Sequence, residues 1–361
     1  MSLQDRIAER IRLHGPLGVA EYMALALLDP REGYYPTRDP LGADGDFITA
    51  PEISQMFGEV LGLWVLQSWR DLGAPAPLHL VELGPGTGRM MGDVLRSLRL
   101  EPALLGRMSV NMVEASPALQ AVQGRMLASS PYPVFWHDGL DAVPDGPAII
   151  LGNEYLDCLP IRQFIRRGDS WRERVVTLEG GGEGSGSPLA FAESTRGPGS
   201  LPLPPVEAGD GDLLEVRPGT AQLVDTLARR FDDAPGRALF IDYGPGDTET
   251  GDTLQALRRH TKVDPLDSPG QADLTARVDF GQLRREAEAA GLSVHGPATQ
   301  AAFLSRLGLE VRAGALARAN PSSQDVLARQ LHRLTAPDEM GTLFKAISIG
   351  APGQPAPLGF A

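Results

Sequence analysis

Three glycines at alternate positions follow a short apolar segment that carries a carboxylate near its end. The segment runs from Leu78 to Leu83 and contains Glu82, and the glycines are Gly84, Gly86 and Gly88. Glycine suits such a loop because a tight turn requires positive φ angles and because a ligand must approach the bare backbone. The residue types therefore indicate a ligand-binding loop at the end of a strand.

The spacing of these glycines narrows the class of ligand. A helix-compatible segment follows from Arg89 to Leu100, and strand, glycine turn and helix together open a nucleotide-binding α/β unit. The G-x-G-x-G spacing differs from the G-x-G-x-x-G of dinucleotide enzymes. A carboxylate ahead of the loop suits S-adenosylmethionine, because that molecule carries an ammonium group and no pyrophosphate. Taken alone, the loop also fits a tight structural turn.

Other polar residues follow the later predicted strands. Glu114 is placed to accept hydrogen bonds from both hydroxyls of a ribose, and Asp138, next to Gly139, is placed to accept one from an adenine amino group. In an open parallel sheet, ligands bind beyond the carboxyl ends of the strands. Each acid taken singly is equally well explained as a helix cap or an exposed side chain. All of them in this order predict one ligand site.

A second polar group follows the predicted strand at 147–151. It contains Asn153, Glu154 and Asp157, where the sulfonium of a methyl donor would lie. Methyl transfer is an in-line displacement, so the protein mainly positions the donor and the acceptor. Paired carboxylates there can hold a guanidinium and aim the attacking nitrogen. The alternative is that these residues cap the turn that Pro160 closes.

The elements that position these residues alternate between strand and helix, which predicts a parallel sheet with right-handed crossovers. The predicted strands are 78–83, 109–113, 134–136, 147–151, 238–243, 292–295 and 344–349, and the predicted helices are 3–14, 19–28, 54–72, 89–100, one that begins at Ser116-Pro117, 221–230, 279–290 and a helical segment at 298–335. The pattern breaks at a predicted hairpin of 163–165 with 171–178, a Gly-, Ser- and Pro-rich span at 179–212, a short strand at 213–216, and two long loops at 31–52 and 244–275.

Composition excludes several classes of protein. A net charge of −13 over 361 residues argues against nucleic acid or an anionic membrane surface as the main partner. The single cysteine, Cys158, excludes an intramolecular disulfide and fits a reducing compartment. No apolar run approaches the roughly 20 residues that span a bilayer, and the spacing of His260, Asp264, Asp267 and Asp273 matches no standard metal site. We therefore expect a cytoplasmic protein without a metal and without membrane insertion.

Several runs of sequence resemble one family. They are GYYPTRDPLGADGDFITAPEISQMFGE, VELGPGTGRMMGDVLR, GNEYLDCLPIRQF, IDYG, DPLDSPGQADLTARVDF and MGTLFKAIS, and the similarity extends from about Tyr22 to Ile349. They resemble the MidA family of S-adenosylmethionine-dependent methyltransferases. The mitochondrial members of that family are complex I assembly factors that methylate an arginine of a complex I subunit.

The resemblance implies a fold and a domain organisation. The fold is a class I methyltransferase core, an α/β Rossmann-like structure with a seven-stranded, mostly parallel sheet. It carries an inserted β-hairpin subdomain and an N-terminal helical extension. The implied domains are an extension with a lid loop at 1–75, the core at 76–161 and 237–350, the insert at 162–236 and a tail at 351–361.

The resemblance also implies roles for individual residues. The donor-binding residues would be Glu82, Gly84, Gly86, Gly88, Glu114, Asp138 and Gly139, with Gly45, Phe47 and Thr49 from the lid loop. Asp46 would lie with Thr49 near the methionine end of the donor, and the catalytic set would be Asp46, Asn153, Glu154 and Asp157. The chain departs from the family at Cys158, where a small residue is expected, and after Gly244, where a histidine is common.

The sequence thus predicts a class I methyltransferase whose acceptor is an arginine of a protein, a complex I subunit or a similar one. It predicts a cytoplasmic location, with the mitochondrial matrix for eukaryotic relatives. Two alternatives remain open: a methyltransferase for a small molecule or another side chain, and an assembly factor that binds the donor without catalysis. The sequence does not decide whether the protein is a homodimer or what the span 179–212 does.

Overall fold

The computed structural model describes residues 1–37, 49–181 and 188–360. Thirteen α-helices lie in these residues: α1 Leu3–His14, α2 Val19–Leu28, α3 Tyr34–Thr37, α4 Ala50–Ile53, α5 Gln55–Asp71, α6 Arg89–Leu98, α7 Pro117–Met126, α8 Pro218–Asp233, α9 Phe280–Ala289, α10 Gln300–Arg306, α11 Leu309–Ala319, α12 Gln324–Thr335 and α13 Met340–Leu343. The same residues contain fifteen strands: β1 Leu17–Gly18, β2 Leu78–Leu83, β3 Met108–Val113, β4 Val134–His137, β5 Ala148–Asn153, β6 Arg162–Arg167, β7 Ser170–Leu178, β8 Leu189–Glu193, β9 Leu213–Val216, β10 Gly236–Tyr243, β11 Gln255–Arg258, β12 Thr261–Val263, β13 Asp273–Thr275, β14 Ser293–Thr299 and β15 Phe344–Gly350.

The chain divides into two units, and each is built from three stretches of sequence. The sheet unit comprises Ile48–Leu156, Leu223–Gly246 and Leu283–Ala361. The second unit comprises Met1–Phe47, Asp157–Gln222 and Asp247–Gln282. The helix α5, which the sequence analysis assigns to the N-terminal extension, packs in the core of the sheet unit. The boundaries of the predicted domains themselves stay a prediction.

The sheet unit contains seven strands in the order β14-β15-β10-β5-β2-β3-β4. The pairs β10/β5, β5/β2, β2/β3 and β3/β4 are parallel, and β15 is antiparallel to both of its neighbours. The predicted seven-stranded, mostly parallel sheet is confirmed. Strands β2, β3, β5 and β10 are buried over almost their whole length, which explains why they appear in the sequence as continuous apolar runs.

Helix α5 packs unusually closely on α6, the helix that follows the glycine loop. A Cβ added at Gly58 would lie 2.6 Å from the Cβ of Asp93, and one added at Gly62 would lie 2.6 Å from the Cβ of Ser97. Two glycines four residues apart therefore form one smooth stripe against α6. Trp64 and Trp69 of α5 lie in the hydrophobic core of the sheet unit.

The second unit contains two smaller sheets. One has the order β1-β7-β6-β9, with β8 paired to β7, and it includes the predicted hairpin of β6 with β7. The other has the order β12-β11-β13 and lies within residues predicted as a loop, so the prediction of a structureless loop at 244–275 is wrong. Strand β8 likewise lies in the span at 179–212. Helices α1 and α2 contribute buried side chains to the core of this unit.

The helical segment predicted at 298–335 is three helices. Gly308 has a φ of 87° and begins α11, and Pro321 follows the end of that helix at Ala319. A left-handed glycine and a proline both interrupt an α-helix, which explains the division. Within the described ranges, none of the helices is long and apolar enough to cross a membrane.

Candidate active site

The glycine loop connects β2 to α6 at the carboxyl edge of the parallel strands. Gly84, Gly86 and Gly88 have φ angles of 61°, 54° and 78°, a region that side chains disfavour. A Cβ on Gly84 would lie 3.1 Å from the ring of Tyr155, and one on Gly88 would lie 3.3 Å from Gln123. Backbone conformation and crowding therefore both explain why glycine stands at these positions. Helix α6 begins directly after the loop, so its first N–H groups lie at this edge.

Glu82 lies at the end of β2, just before the loop. Its side chain is buried, and its Oε2 atom has no hydrogen-bond partner among the described residues. Burial raises the pKa of its carboxyl from 4.5 to about 8, against a smaller lowering by the backbone N–H of Met91. A buried acceptor without a donor destabilises a protein, because water no longer hydrates it. A ligand that carries an ammonium group would supply the missing donor.

Asn153 provides a second buried acceptor on the neighbouring strand. Strand β5 pairs with β2 in parallel, and Asn153 is its last residue. The Oδ1 atom of Asn153 also lacks a partner in the described part of the chain, while its Nδ2 donates to Glu154 Oε1 at 3.0 Å. Two adjacent strands therefore end in acceptors that can take hydrogen bonds from a ligand.

Glu114 follows β3 and has a buried carboxylate in a fixed position. Its Oε1 accepts from the N–H of Ser116 at 2.8 Å, and its Oε2 accepts from Nε2 of Gln123 at 3.1 Å. Burial raises the pKa of the Glu114 carboxyl, and these hydrogen bonds oppose the rise. Gln123 also donates to the carbonyl oxygen of Gly86 at 2.8 Å and accepts from Trp136 Nε1 at 2.8 Å. Gln123 was not among the predicted site residues, because nothing in its local sequence sets it apart from other glutamines on a helix.

Asp138 and Gly139 follow β4, the edge strand beside β3. The side chain of Asp138 is exposed, and Gly139 has an extended backbone with no atom within 4 Å of an added Cβ. The backbone of the preceding residue, His137, accepts a hydrogen bond from the N–H of Glu114 at 2.9 Å. The structure therefore brings Glu82, Glu114, Asp138 and Asn153 to one edge of the sheet.

Glu154 occupies a backbone conformation that is uncommon for a side chain of its size. Its φ is 51°, and its Oε1 accepts from the N–H of Ala50 at 3.2 Å. Ala50 begins α4, and Thr49 is the N-cap of that helix without a side-chain capping bond. Residues with positive φ cluster at functional sites, where the surroundings stabilise them. Glu154 therefore links the loop after β5 to α4.

Glu52 lies on α4 as well. It belongs to the first of the sequence runs that resemble the family, and the resemblance assigned it no role. Its Oε1 accepts from the hydroxyl of Thr87 at 2.6 Å, and its Oε2 lies 3.3 Å from Arg89 Nη1. Thr87 belongs to the glycine loop, and Arg89 is the first residue of α6. No local pattern predicts a contact between Glu52 and Thr87, which are 35 positions apart in the chain.

The remaining predicted residues are Asp157 and three residues of the predicted loop at 31–52. Asp157 belongs to the second unit, where burial raises the pKa of its carboxyl to about 6 against the charge of Arg217. Arg217 donates to the carbonyl oxygens of Leu159 and Ala276, which lie in the same unit. Gly45, Asp46 and Phe47 fall outside the described residues. A separate cavity of about 460 Å³, lined by residues of α6 and by residues 126–131, contains none of the predicted site residues.

The fold and this site define a class of protein. The strand order, with β15 reversed between β14 and β10, and a glycine loop after β2 are the architecture of a class I S-adenosylmethionine-dependent methyltransferase. Beside that loop, the carboxyl of Glu82 is buried and has an oxygen without a hydrogen-bond partner in the described part of the chain, which fits the ammonium end of the methyl donor. Comparison with known proteins supports this class.

The chain belongs to a family of methyltransferases. Residues 60–298 match the family described as "Putative S-adenosyl-L-methionine-dependent methyltransferase". The "Protein arginine methyltransferase NDUFAF7, mitochondrial" of Danio rerio is 37% identical over 371 residues, which cover 96% of this chain and 86% of that protein. The protein of the same name from Homo sapiens is 36% identical over 366 residues, covering 94% and 81%. The resemblance to the MidA family is therefore confirmed.

A solved structure gives the same result. A crystal structure of a protein from Burkholderia thailandensis, bound to S-adenosyl-homocysteine, is 27% identical to this chain. It superposes with a TM-score of 0.85 over 99% of this chain and 93% of that one. The chain is an enzyme, an S-adenosylmethionine-dependent methyltransferase, and S-adenosylmethionine is its cofactor.

Proposed function

We propose that this enzyme transfers the methyl group to an arginine side chain of a protein. The observation that carries the proposal is the full-length similarity to relatives whose names state protein arginine methylation. The polar groups after β5 support it, because carboxylates and amide oxygens hold a guanidinium by several hydrogen bonds at once. A subunit of respiratory complex I, implied by the family resemblance, is the first acceptor to test.

Roles follow for the donor side of the site. The glycine loop would lie against the donor, with the carboxyl of Glu82 as an acceptor near its ammonium group. Glu114 would accept from the ribose hydroxyls, and Asp138 with Gly139 would lie at the adenine. S-adenosylmethionine supplies a methyl group activated by a sulfonium. Gly45, Phe47 and Thr49 complete the proposed set of donor-binding residues.

On the acceptor side, the protein would hold and aim the guanidinium. We assign that role to Asn153 and Glu154 at the end of β5, together with Asp46 and Asp157. Glu154 Oε1 already accepts two hydrogen bonds, from Ala50 and from Asn153, so its carboxylate is fixed before an acceptor arrives. Preorganised acceptors of this kind reduce the entropy lost when the reacting atoms meet. A fixed carboxylate would also take up the proton that the guanidinium loses.

The proposal includes a location and a domain organisation. We propose a cytoplasmic location for this chain, whereas the relatives carry the word mitochondrial in their names. We also propose that residues 162–236 form a subdomain inserted in the methyltransferase core, and that residues 1–75 are an extension that includes a lid over the site. The partner is a protein substrate; neither nucleic acid nor membrane insertion is part of the proposal.

The test separates donor binding from arginine transfer. Purified protein is incubated with S-adenosylmethionine labelled in the methyl group and with protein extract from cells that lack this enzyme. Total hydrolysis should then release labelled methylarginine. Glu114→Ala should bind the donor at least tenfold more weakly in calorimetry. Glu154→Gln should bind it within about threefold of the wild type but transfer at least 100-fold more slowly, a loss of about 2.7 kcal/mol.

The outcomes distinguish the candidate functions. Label in methylarginine supports the proposal, and label in another side chain or in a small molecule contradicts the arginine acceptor. A wild-type protein that binds the donor but transfers no label to any fraction would favour the assembly factor. If Glu154→Gln transfers the methyl group at the wild-type rate, the proposed role of Glu154 in holding the guanidinium is wrong.

A further inference from the structure

Helix α4 contacts both loops that end the central strands of the sheet. The N–H of Ala50 donates to Glu154 in the loop after β5, and Glu52 accepts from Thr87 in the glycine loop after β2. Only one turn of helix separates the two contacts. A displacement of α4 would therefore disturb both loops together.

The glycine loop depends on contacts from outside itself. The loop contains three glycines with positive φ, at positions 84, 86 and 88. Glycine loses more backbone entropy on ordering than any other residue, so the loop needs contacts that hold it in one conformation. Side chains hold the loop from two directions. Gln123 on α7 donates to the carbonyl oxygen of Gly86, and Glu52 on α4 accepts from the hydroxyl of Thr87.

The contact between Glu52 and Thr87 has the geometry of a charge-assisted hydrogen bond. The oxygen atoms are 2.6 Å apart, and the Glu52 side chain is only 14% exposed. The second carboxylate oxygen of Glu52 pairs with Arg89, which begins α6 immediately after the loop. One carboxylate thus fixes both the middle of the loop and its exit into the helix.

We propose that Glu52 is a positioning residue for the methyl donor. It holds Thr87, and with it the glycine loop, in the conformation that binds the donor, and Glu154 holds α4 in place through Ala50. The inference rests on the proposed donor-binding role of the loop and extends it to a residue of α4 that contacts the loop. Donor affinity is then set by α4 as well as by the loop itself.

The test removes one hydroxyl. Thr87→Val keeps the shape of the side chain and deletes the donor to Glu52. We expect S-adenosylmethionine and S-adenosylhomocysteine each to bind about tenfold more weakly in calorimetry. We also expect faster amide hydrogen exchange at residues 84–91 of the donor-free protein. Thr87→Ser restores the hydroxyl and should return both measurements to within about twofold of the wild type.

Two further variants complete the design. Glu52→Gln keeps an oxygen that accepts from Thr87 but loses the ion pair with Arg89, so its affinity should lie between those of the wild type and Glu52→Ala. Arg99→Ala is the matched control, because Arg99 is an exposed arginine that follows the same helix. It should bind the donor and exchange its loop amides as the wild type does.

Each result decides the proposal. Wild-type affinity and wild-type loop exchange in Thr87→Val would overturn it. A lower melting temperature with both measurements unchanged would also overturn it, because the contact would then be structural only. If the wild type binds no donor, the proposed function fails instead. Exchange in the donor-free protein still shows whether Glu52 holds the loop.

Discussion

The side-chain nitrogen of Gln123 lies 3.1 Å from Glu114 Oε2, and the same nitrogen lies 2.8 Å from the carbonyl oxygen of Gly86. One amide therefore joins the acid that follows β3 to the glycine loop that follows β2. Its oxygen accepts from the indole N–H of Trp136 on β4. A buried residue of α7 thus fixes the relative positions of three strand ends.

Replacing Gln123 should weaken donor binding. Gln123→Leu has a similar volume but leaves an oxygen of Glu114 and the indole N–H of Trp136 without partners in a buried region. We expect S-adenosylmethionine to bind about tenfold more weakly, a loss of roughly 1.4 kcal/mol. Isothermal calorimetry measures the change directly.

The control for this variant is Arg125→Ala, which changes an exposed residue of the same helix. Its affinity for the donor should stay within about twofold of the wild type. Equal affinities for Gln123→Leu and the wild type would show that the backbone alone positions Glu114.

The buried carboxyl of Glu82 should make stability depend on pH. Its pKa is raised from 4.5 to about 8 by burial, so between these values the unfolded chain has released a proton that the folded chain still holds. The folded state binds more protons, and its stability therefore falls as pH rises through this window. Glu82→Gln, which stays neutral, should remove that fall, which is at most about 5 kcal/mol over the whole window.

Urea unfolding of the donor-free protein at pH 5 and at pH 8.5 measures the effect. Relative to the wild type, Glu82→Gln should have a higher free energy of unfolding at pH 8.5 than at pH 5. The control is Glu310→Gln, which changes an exposed glutamate and should show no such difference.

The same carboxyl should also make donor binding depend on pH. An ammonium group that pairs with Glu82 favours the ionised carboxyl, so donor binding near pH 7 should release a proton. The binding heat of the wild type should then vary with the ionisation enthalpy of the buffer, and that of Glu82→Gln should not.

The edge of the sheet at which the candidate site lies could be predicted from the sequence. Glu82 and Glu114 lie close to the carboxyl ends of adjacent apolar segments, and parallel strands bring all such ends to one edge. The glycine spacing predicts the turn between β2 and α6 because positive φ is a local property of those residues. The positions of the strands along the chain followed from apolar runs, and a helix start followed from a cap such as Ser116, whose side chain accepts from Leu119.

Contacts between distant parts of the chain could not be predicted. Glu52 with Thr87 and Gln123 with Gly86 depend on how helices pack, and no local pattern encodes that packing. The small sheet within 244–275 was missed for a different reason. The turn between β11 and β12 consists of Arg259 and His260, with φ angles of 51° and 61°. Hairpin turns of this kind usually contain asparagine or glycine, so these residues gave no signal.

A buried ion pair in the sheet unit gives a prediction about stability. Arg237 at the start of β10 is 1% exposed, and its Nη1 lies 3.0 Å from Asp71 Oδ2. Asp71→Leu leaves the buried guanidinium without its counter-charge and should lower the free energy of unfolding by about 3–5 kcal/mol. The double variant Asp71→Leu, Arg237→Met should recover most of that loss in urea unfolding. A single variant as stable as the wild type would mean that the carbonyl of Pro355 and the hydroxyl of Ser68 suffice as partners for Arg237.

The stripe of glycines on α5 should matter for both stability and donor binding. An added Cβ at Gly62 would lie 2.6 Å from the Cβ of Ser97 and 2.8 Å from the carbonyl oxygen of Val94, both on α6. Gly62→Ala should therefore push the helices apart and cost about 1–3 kcal/mol, although alanine favours a helix by itself. Because α6 begins at the glycine loop, donor affinity should fall as well.

Gly124→Ala on α7 is the matched control. Its added Cβ would lie 3.9 Å from the ring of Trp136, so it should stabilise the protein by roughly 0.5–1 kcal/mol. Opposite signs for the two substitutions in urea unfolding would confirm that helix contact, and not helix propensity, explains Gly62.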